Sequence, residues 1–368
     1  MKTKLIMISK LSRRNLLPRV NRSFVPAALR IFTSMLLIVI ISFFASCDNP
    51  IFDELEKALH EEKSKCESVP GPAQLLATLQ GGASGSTIGP GGALYVTEPL
   101  AGRISRIDPK TGDVTTFAYG FPLQLPGIGV GGVWDVAFLG GTAYAIVMLV
   151  GPDVGGSDVV GIYRIDGPSS FTVIADIGAF SIANPPNTPF DVPTGVQYSI
   201  QTYHGAFLVA DGHHNRVLHV TRDGEISEIQ AFGNIVPTGL ALSGNTIYLA
   251  QAGPIPHLPE NGKVVSFGLK SPIVTTVASG ARMLVDVEFS GRTLFALSQG
   301  FWDDVVEGTP AEPHTGSIVK VNHDGTFIQV VDGLDRPTSL EFIKNTAYIV
   351  SLTGEIWTIE DVNCPPSL

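Results

Sequence analysis

One unit recurs six times along this chain, and its grammar limits the fold more than any other feature. The copies open at "STIGPGGALYVTEPLAGRISRIDPKTGDVTTFA" from Ser86, "WDVAFLGGTAYAIVML" from Trp134 and "TGVQYSIQTYHGAFLVADGHHNRVLHVTRDGEISEIQAF" from Thr194. They continue at "TGLALSGNTIYLAQAG" from Thr238, "VDVEFSGRTLFALSQG" from Val285 and "TSLEFIKNTAYIVSLTGEIWTIED" from Thr338. In each, a short apolar strand meets a turn, and a second strand follows ("LYV", "AYAIV", "FLVA", "IYLA", "LFAL", "AYIV"). A variable loop then leads to a third strand ("RISRID", "GIYRID", "RVLHVT", "KVVSFG", "SIVKVN", "EIWTIE"), and a turn opens a fourth. Four strands in roughly 44 to 60 residues are the mark of a β-propeller blade. Such a sheet cannot bury both apolar faces alone, so blades stack around an axis. The 40 glycines and 26 prolines suit many short strands joined by tight turns.

The sixth copy stops after three strands. The segment "AQLLATL", Ala73–Leu79, precedes the first full copy and matches the fourth strands "VTTFA" and "FTVIAD". The expectation is an all-β, six-bladed propeller over 73–364, closed by this N-terminal strand as the outer strand of the last blade. Closure removes two open sheet edges that would otherwise invite association.

The first 46 residues carry eight basic residues and no acid, ending in the apolar run "IFTSMLLIVIISFFA". At 15 residues the run is short for a membrane span and suits the apolar core of an export signal. Ala45 and Ser46 directly before Cys47 look like a bacterial lipobox, which implies cleavage at 46 and acylation of Cys47. Residues 47–72 then read as a lipidated tether and 365–368 as a tail. The alternative is an uncleaved N-terminal helix that contains a cysteine. The lipobox reading places the protein in a bacterial cell envelope, anchored to a membrane and facing the periplasm or the exterior. Cys66 and Cys364 flank the two strands that close the ring, so antiparallel pairing brings them together. Export allows a disulfide there; two unpaired thiols near the ends are the other reading.

Without its basic leader the chain has 16 basic against 34 acidic residues, a net of −18. Phosphate backbones would repel such a body, so nucleic acid is not an expected partner. A monomer is expected, with a small molecule or a protein as ligand.

"FLVADGHHNRVLHVTRDGEI", residues 207–226, looks like a metal or catalytic site until it is laid under the other copies. "FLVAD" is then a second strand, "RVLHVT" a third, and "GHHN" the loop between them. Asp223, like Asp324 of "HDG", belongs to a tight turn. Adjacent histidines on a strand point to opposite faces, so His213 and His214 do not readily share a metal. "ADGHHNRVLHV" resembles the NHL-type propeller repeat, which implies that Asn215 and Arg216 fix the hairpin. Over residues 73–361, "GPGGALYVTE", "GRISRIDPKTGDVTTFAYG", "DVPTGV", "FLVAD" and "DGLDRPTSLEF" together resemble the ScyD/ScyE family of secreted six-bladed propellers. That family is related to NHL and SMP-30/gluconolactonase-like proteins. The resemblance implies architecture more than reaction.

Hydrolases of the SMP-30 and lactonase type hold a divalent cation such as Ca²⁺ at the channel mouth, on acids and an asparagine from the starts of innermost strands. Here Thr194–Gly195 and Thr238–Gly239 stand where related hydrolases often have Asn-Gly, and Thr and Gly are poor ligands. Asp135 and Asp286 remain, with Glu98 and Asp211 in their own repeats. Two readings of Asp135 and Asp286 stand: metal ligands, or acceptors of hydrogen bonds from strand backbones of adjacent blades. No nucleophile elbow, zinc helix motif or phosphate loop occurs.

The loops at 148–158, 253–262 and 300–316 all join second to third strands and should leave on one face. Phe301 and Trp302 in the last of these, with His213, form a candidate binding surface; the two aromatics could equally turn inward and fill a gap between blades. The leading functional reading is a binding or scaffolding module, and the alternative is a metal-dependent hydrolase of a lactone or sugar acid.

Overall fold

The structure is a computed structural model that describes residues 70–269, 271–303 and 309–363. Residues 1–46, Cys47, Cys66 and Cys364 lie outside the described residues. Twenty-four strands form six four-stranded antiparallel sheets. Blade 1 holds β2 (Ser86–Ile88), β3 (Leu94–Glu98), β4 (Arg103–Ile107) and β5 (Val114–Tyr119). Blade 2 holds β6 (Gly132–Leu139), β7 (Thr142–Met148), β8 (Gly161–Gly167) and β9 (Ser170–Asp176), and blade 3 holds β10 (Gln197–Tyr203), β11 (Ala206–Asp211), β12 (Arg216–Val220) and β13 (Ile226–Ala231). Blade 4 holds β14 (Pro237–Ser243), β15 (Thr246–Gln251), β16 (Lys263–Gly268) and β17 (Ser271–Ser279). Blade 5 holds β18 (Leu284–Ser290), β19 (Thr293–Ser298), β20 (Gly316–Val321) and β21 (Phe327–Leu334). Blade 6 holds β22 (Pro337–Ile343), β23 (Thr346–Ser351) and β24 (Glu355–Ile359), and its fourth strand is β1 (Gln74–Thr78). β1 runs antiparallel to β24, with Leu75 opposite Trp357.

The strands are buried according to their place in the blade. Second strands such as Leu94–Glu98 and Ala206–Asp211 are buried at every residue, because a neighbouring blade covers each face. Outer strands such as Ile226–Ala231 are half-buried or exposed. The core is accordingly divided into six apolar clusters, one at each junction between blades. Trp134, Tyr144 and Ile146 of blade 2, for example, pack on Phe207, Val209 and Leu218 of blade 3.

A polar ring runs inside these clusters and crosses every junction. Ser84 donates to the Trp134 carbonyl (2.6 Å), and the Ile200 amide donates to Asp135 (2.9 Å). Ser199 donates to the Thr238 carbonyl (2.6 Å), and Thr238 donates to the Leu284 carbonyl (2.9 Å). The Leu340 amide donates to Asp286 (2.8 Å), and Thr338 donates to the Ser84 carbonyl (2.8 Å), which joins blade 6 to blade 1. Each bond ties a backbone group of one blade to its neighbour.

One element was not legible as a strand or turn. Helix α1 (Ile177–Ala183) follows β9, and Asp176 caps it by accepting from the Ala179 amide (2.8 Å). The segment from α1 to β10 crosses from blade 2 to blade 3 and builds part of the site below.

Candidate functional site

Antiparallel order sends every second-to-third loop, and every blade-to-blade crossing, to the same face. There the propeller opens into a cavity of about 400 Å³. Small-molecule sites have this size, with mostly apolar walls and a few polar groups. Trp134 and Tyr198 form its floor, edge to face with centroids 5.8 Å apart. Phe190, Ile255, Trp302 and Met283 stand in its walls, and His213, His257, Asn215 and Gln299 supply polar groups.

The walls are held from behind. Trp302 is buried and donates its indole N–H to Thr309 Oγ1 (2.9 Å), with His257 edge-on at 5.6 Å. His257 is oriented by donating from Nδ1 to the Gly253 carbonyl (2.8 Å). Gln299 accepts from the Ala311 amide (3.0 Å). Asn215 accepts from the Ile235 and Val236 amides (2.9 and 3.0 Å), which pins the crossing into blade 4.

Below the floor, the axis holds a narrow polar channel of about 50 Å³. Asp135, Asp286, Glu288 and Glu341 line it. Asp135 is buried, and Asp286, Glu288 and Glu341 are half-buried along the narrow lumen. Burial therefore raises all four: Asp135 to about 8, Asp286 to about 6, Glu288 to about 8, and Glu341 well above the ordinary range. Hydrogen bonds from backbone amides offset part of this for Asp135, Asp286 and Glu288.

The donor set does not fit a divalent cation. Asp135 accepts from the Val136 and Ile200 amides, and Asp286 from the Val287 and Leu340 amides, at 2.8 to 2.9 Å. Each oxygen of both carboxylates thus accepts an amide bond, Asp286 Oδ2 accepts a second from Ser339, and the two acids come from blades 2 and 5. Gly85 and Gly239 pack against them so closely that an added Cβ would fall 2.1 and 2.5 Å from Asp135 Oδ1 and Asp286 Oδ1. Among the described residues no three His, Cys, Asp or Glu side chains are grouped to hold a metal.

The other acids named from sequence also have fixed partners away from the channel. Glu98 accepts from Arg103 (two bonds at 2.7 Å) and from Ser105 (2.5 Å) at the end of β3. Asp211 occupies the matching place in blade 3 and accepts from Arg216 (3.1 Å) and the Val196 amide (3.1 Å). His214 is buried, donates from Nε2 to the Val192 carbonyl (3.0 Å), and presents Nδ1 to Arg216 (3.0 Å). Arg216 also donates to the Asn184 carbonyl (2.8 Å) and Ser181 Oγ (2.9 Å), so one buried guanidinium ties the β11–β12 hairpin to α1.

His213 and Trp302 thus meet in one cavity, and Trp302 faces inward. Phe301 is not among the lining residues: it is exposed, with the Arg282 guanidinium 5.1 Å above its ring. The 253–262 loop contributes Ile255 and His257. The 148–158 loop instead braces the crossing, where Asp153 accepts from the Thr194 amide and hydroxyl (3.0 and 2.8 Å). The wall at Pro189–Asp191 went unread, because a crossing without a repeat pattern offers no register. Glu288 and Glu341 had a usable signal. Glu288 lies two residues beyond Asp286 on β18 and so shares its face, and Glu341 is the matching position of β22.

No protein-family model matches the chain, and no curated protein matches its sequence. Solved propellers resemble it in fold. A gluconolactonase from Xanthomonas campestris is 11% identical over 79% of this chain and 89% of its own, with a TM-score of 0.55. A PQQ-bound aldose sugar dehydrogenase from Streptomyces coelicolor is 13% identical over 79% and 98%, with a TM-score of 0.54. A luciferin-regenerating enzyme is 12% identical over 79% and 95%, at 0.53. At these identities the likeness is one of fold: the chain is a six-bladed β-propeller with gluconolactonase-like structural neighbours.

Proposed function

We propose that this propeller is a ligand-binding module of a bacterial cell envelope that takes up one small, largely apolar molecule at the mouth of its ring. The observation that carries the reading is the cavity itself, about 400 Å³, with Trp134, Tyr198, Phe190 and Trp302 around it. The axial carboxylates that a lactonase would need are engaged by backbone amides of adjacent blades, so binding is favoured over hydrolysis. Acylation of Cys47 would hold the module at a membrane, and a Cys66–Cys364 disulfide would fasten its closure. The pairing of β1 with β24, and the Gly71 amide donating to the Glu360 carbonyl (2.9 Å), support the second by bringing the flanking chain ends together. Loss of membrane partitioning in Cys47→Ser, and a Cys66–Cys364 peptide in non-reducing mass mapping, are the expected results. Unchanged partitioning or free thiols would contradict them.

Two of the three tryptophans, Trp134 and Trp302, face the cavity, while Trp357 packs in the sheet of blade 6. The neutral fluorophore N-phenyl-1-naphthylamine should therefore bind at one site and quench the tryptophan emission. Trp302→Ala should weaken that binding. Binding unaffected by Trp302→Ala, or no binding at all, would refute the assignment of the cavity.

A further inference from the structure

The cavity lining is one-sided in charge. No Lys or Arg occurs among its described residues, and one carboxylate, Asp191, stands at the rim. Asp191 is exposed and has no ion-pair partner among the described residues. Aromatic rings stand on the floor and walls, and a ring face attracts positive charge. Beneath the floor lie the four channel carboxyls. Asp286, raised only to about 6, is the one of these that is fully ionised at pH 8, and its charge adds to the upward shift that burial imposes on the Tyr198 phenol, which lines both the channel and the cavity. The propeller sequence, residues 73–364, has 13 basic against 27 acidic residues, a net of −14, which draws cations toward any mouth on it. An anionic ligand would leave water for a site that offers it no Lys or Arg.

We propose that the ligand of the mouth cavity is an organic cation, an ammonium-type nitrogen carried on an aromatic or alkyl body. This rests on the reading that the cavity is the binding site. The apolar body fills the space between Phe190 and Trp302, and the charge lies over the aromatic faces within reach of Asp191.

The test uses three probes of matched shape on the full-length protein by calorimetry at pH 8 and low salt. They are phenyltrimethylammonium, its neutral isostere tert-butylbenzene, and benzenesulfonate. The cation should bind about tenfold more tightly than the neutral probe, and the anion least. Asp191→Asn, at an exposed position, should weaken the cation about three- to fivefold more than it weakens the neutral probe. Equal binding of cation and neutral probe, or a preference for the anion, would overturn the charge inference while leaving the cavity as the binding site. Failure of all three to bind would overturn both readings.

Discussion

Arg216→Met tests how the site is held in place. The guanidinium is almost fully buried and donates to Asp211, Ser181 Oγ and the Asn184 carbonyl. Methionine fills similar space but leaves Asp211 as a buried carboxylate without its cation. Removing one partner of a buried ion pair costs about 3–5 kcal/mol. For a domain of this size, at about 2–3 °C per kcal/mol, the melting temperature should fall by roughly 6–15 °C. The loss should also loosen α1, because Arg216 holds Ser181 and Asn184 and stacks over Phe180 (5.5 Å). The cavity wall at Pro189–Asp191 follows directly, so probe affinity should drop along with stability. Asp211→Leu combined with Arg216→Met removes both charges, and the double variant should recover about 1–2 kcal/mol over additivity. The assay is thermal denaturation by circular dichroism, with probe binding measured in parallel. A fall below 2 °C, or strictly additive single and double variants, would refute the claim that this pair is the staple of blade 3.

Further outcomes follow from the channel, the clusters and the ring. The folded chain holds protons on Asp135, Asp286 and Glu288 that the unfolded chain has released, so stability should fall as pH rises from about 4 toward 8. The slope is about 1.4 kcal/mol per pH unit for each extra proton, and Glu288→Gln should flatten it; melting temperatures that rise over that range would contradict the shifts. Phe207→Ala empties the centre of the junction between blades 2 and 3 and should cost about 3–5 kcal/mol in chemical denaturation, against under 1 kcal/mol if the blades were not stacked there. Thr338→Val removes one of the bonds from blade 6 to blade 1 and takes a donor from the Ser84 carbonyl, for a loss of about 1–3 kcal/mol; an unchanged midpoint would show that this link is dispensable.

The architecture was legible because the repeat is written in strands. Segments such as "AYAIV" and "FLVA" are apolar at every position, as strands covered on both faces must be, and the incomplete sixth copy pointed to Ala73–Leu79. Asn215 and Arg216 were readable as residues that fix the β11–β12 hairpin, whereas the pairing of Arg216 with Asp211 opposite it depends on strand register. The site was legible only in pieces. His213 and Trp302 stand in loops whose lengths vary between copies, and their meeting depends on how six blades close, which no local pattern encodes. Phe301 and Trp302 are chain neighbours, yet one faces solvent beside Arg282 and the other faces the cavity. Residues 184–193, rich in proline and outside the repeat, gave no strand or helix signal, although they carry Phe190 and Asp191.

The most direct test of the binding site is to fill it. Asn234 lines the cavity at an exposed position, and Asn234→Trp would place an indole ring in the space assigned to the ligand. Calorimetric titration of phenyltrimethylammonium should show one site on the parent protein and at least tenfold weaker binding to the variant, at an unchanged melting temperature. Equal affinity in the two proteins would place the ligand elsewhere.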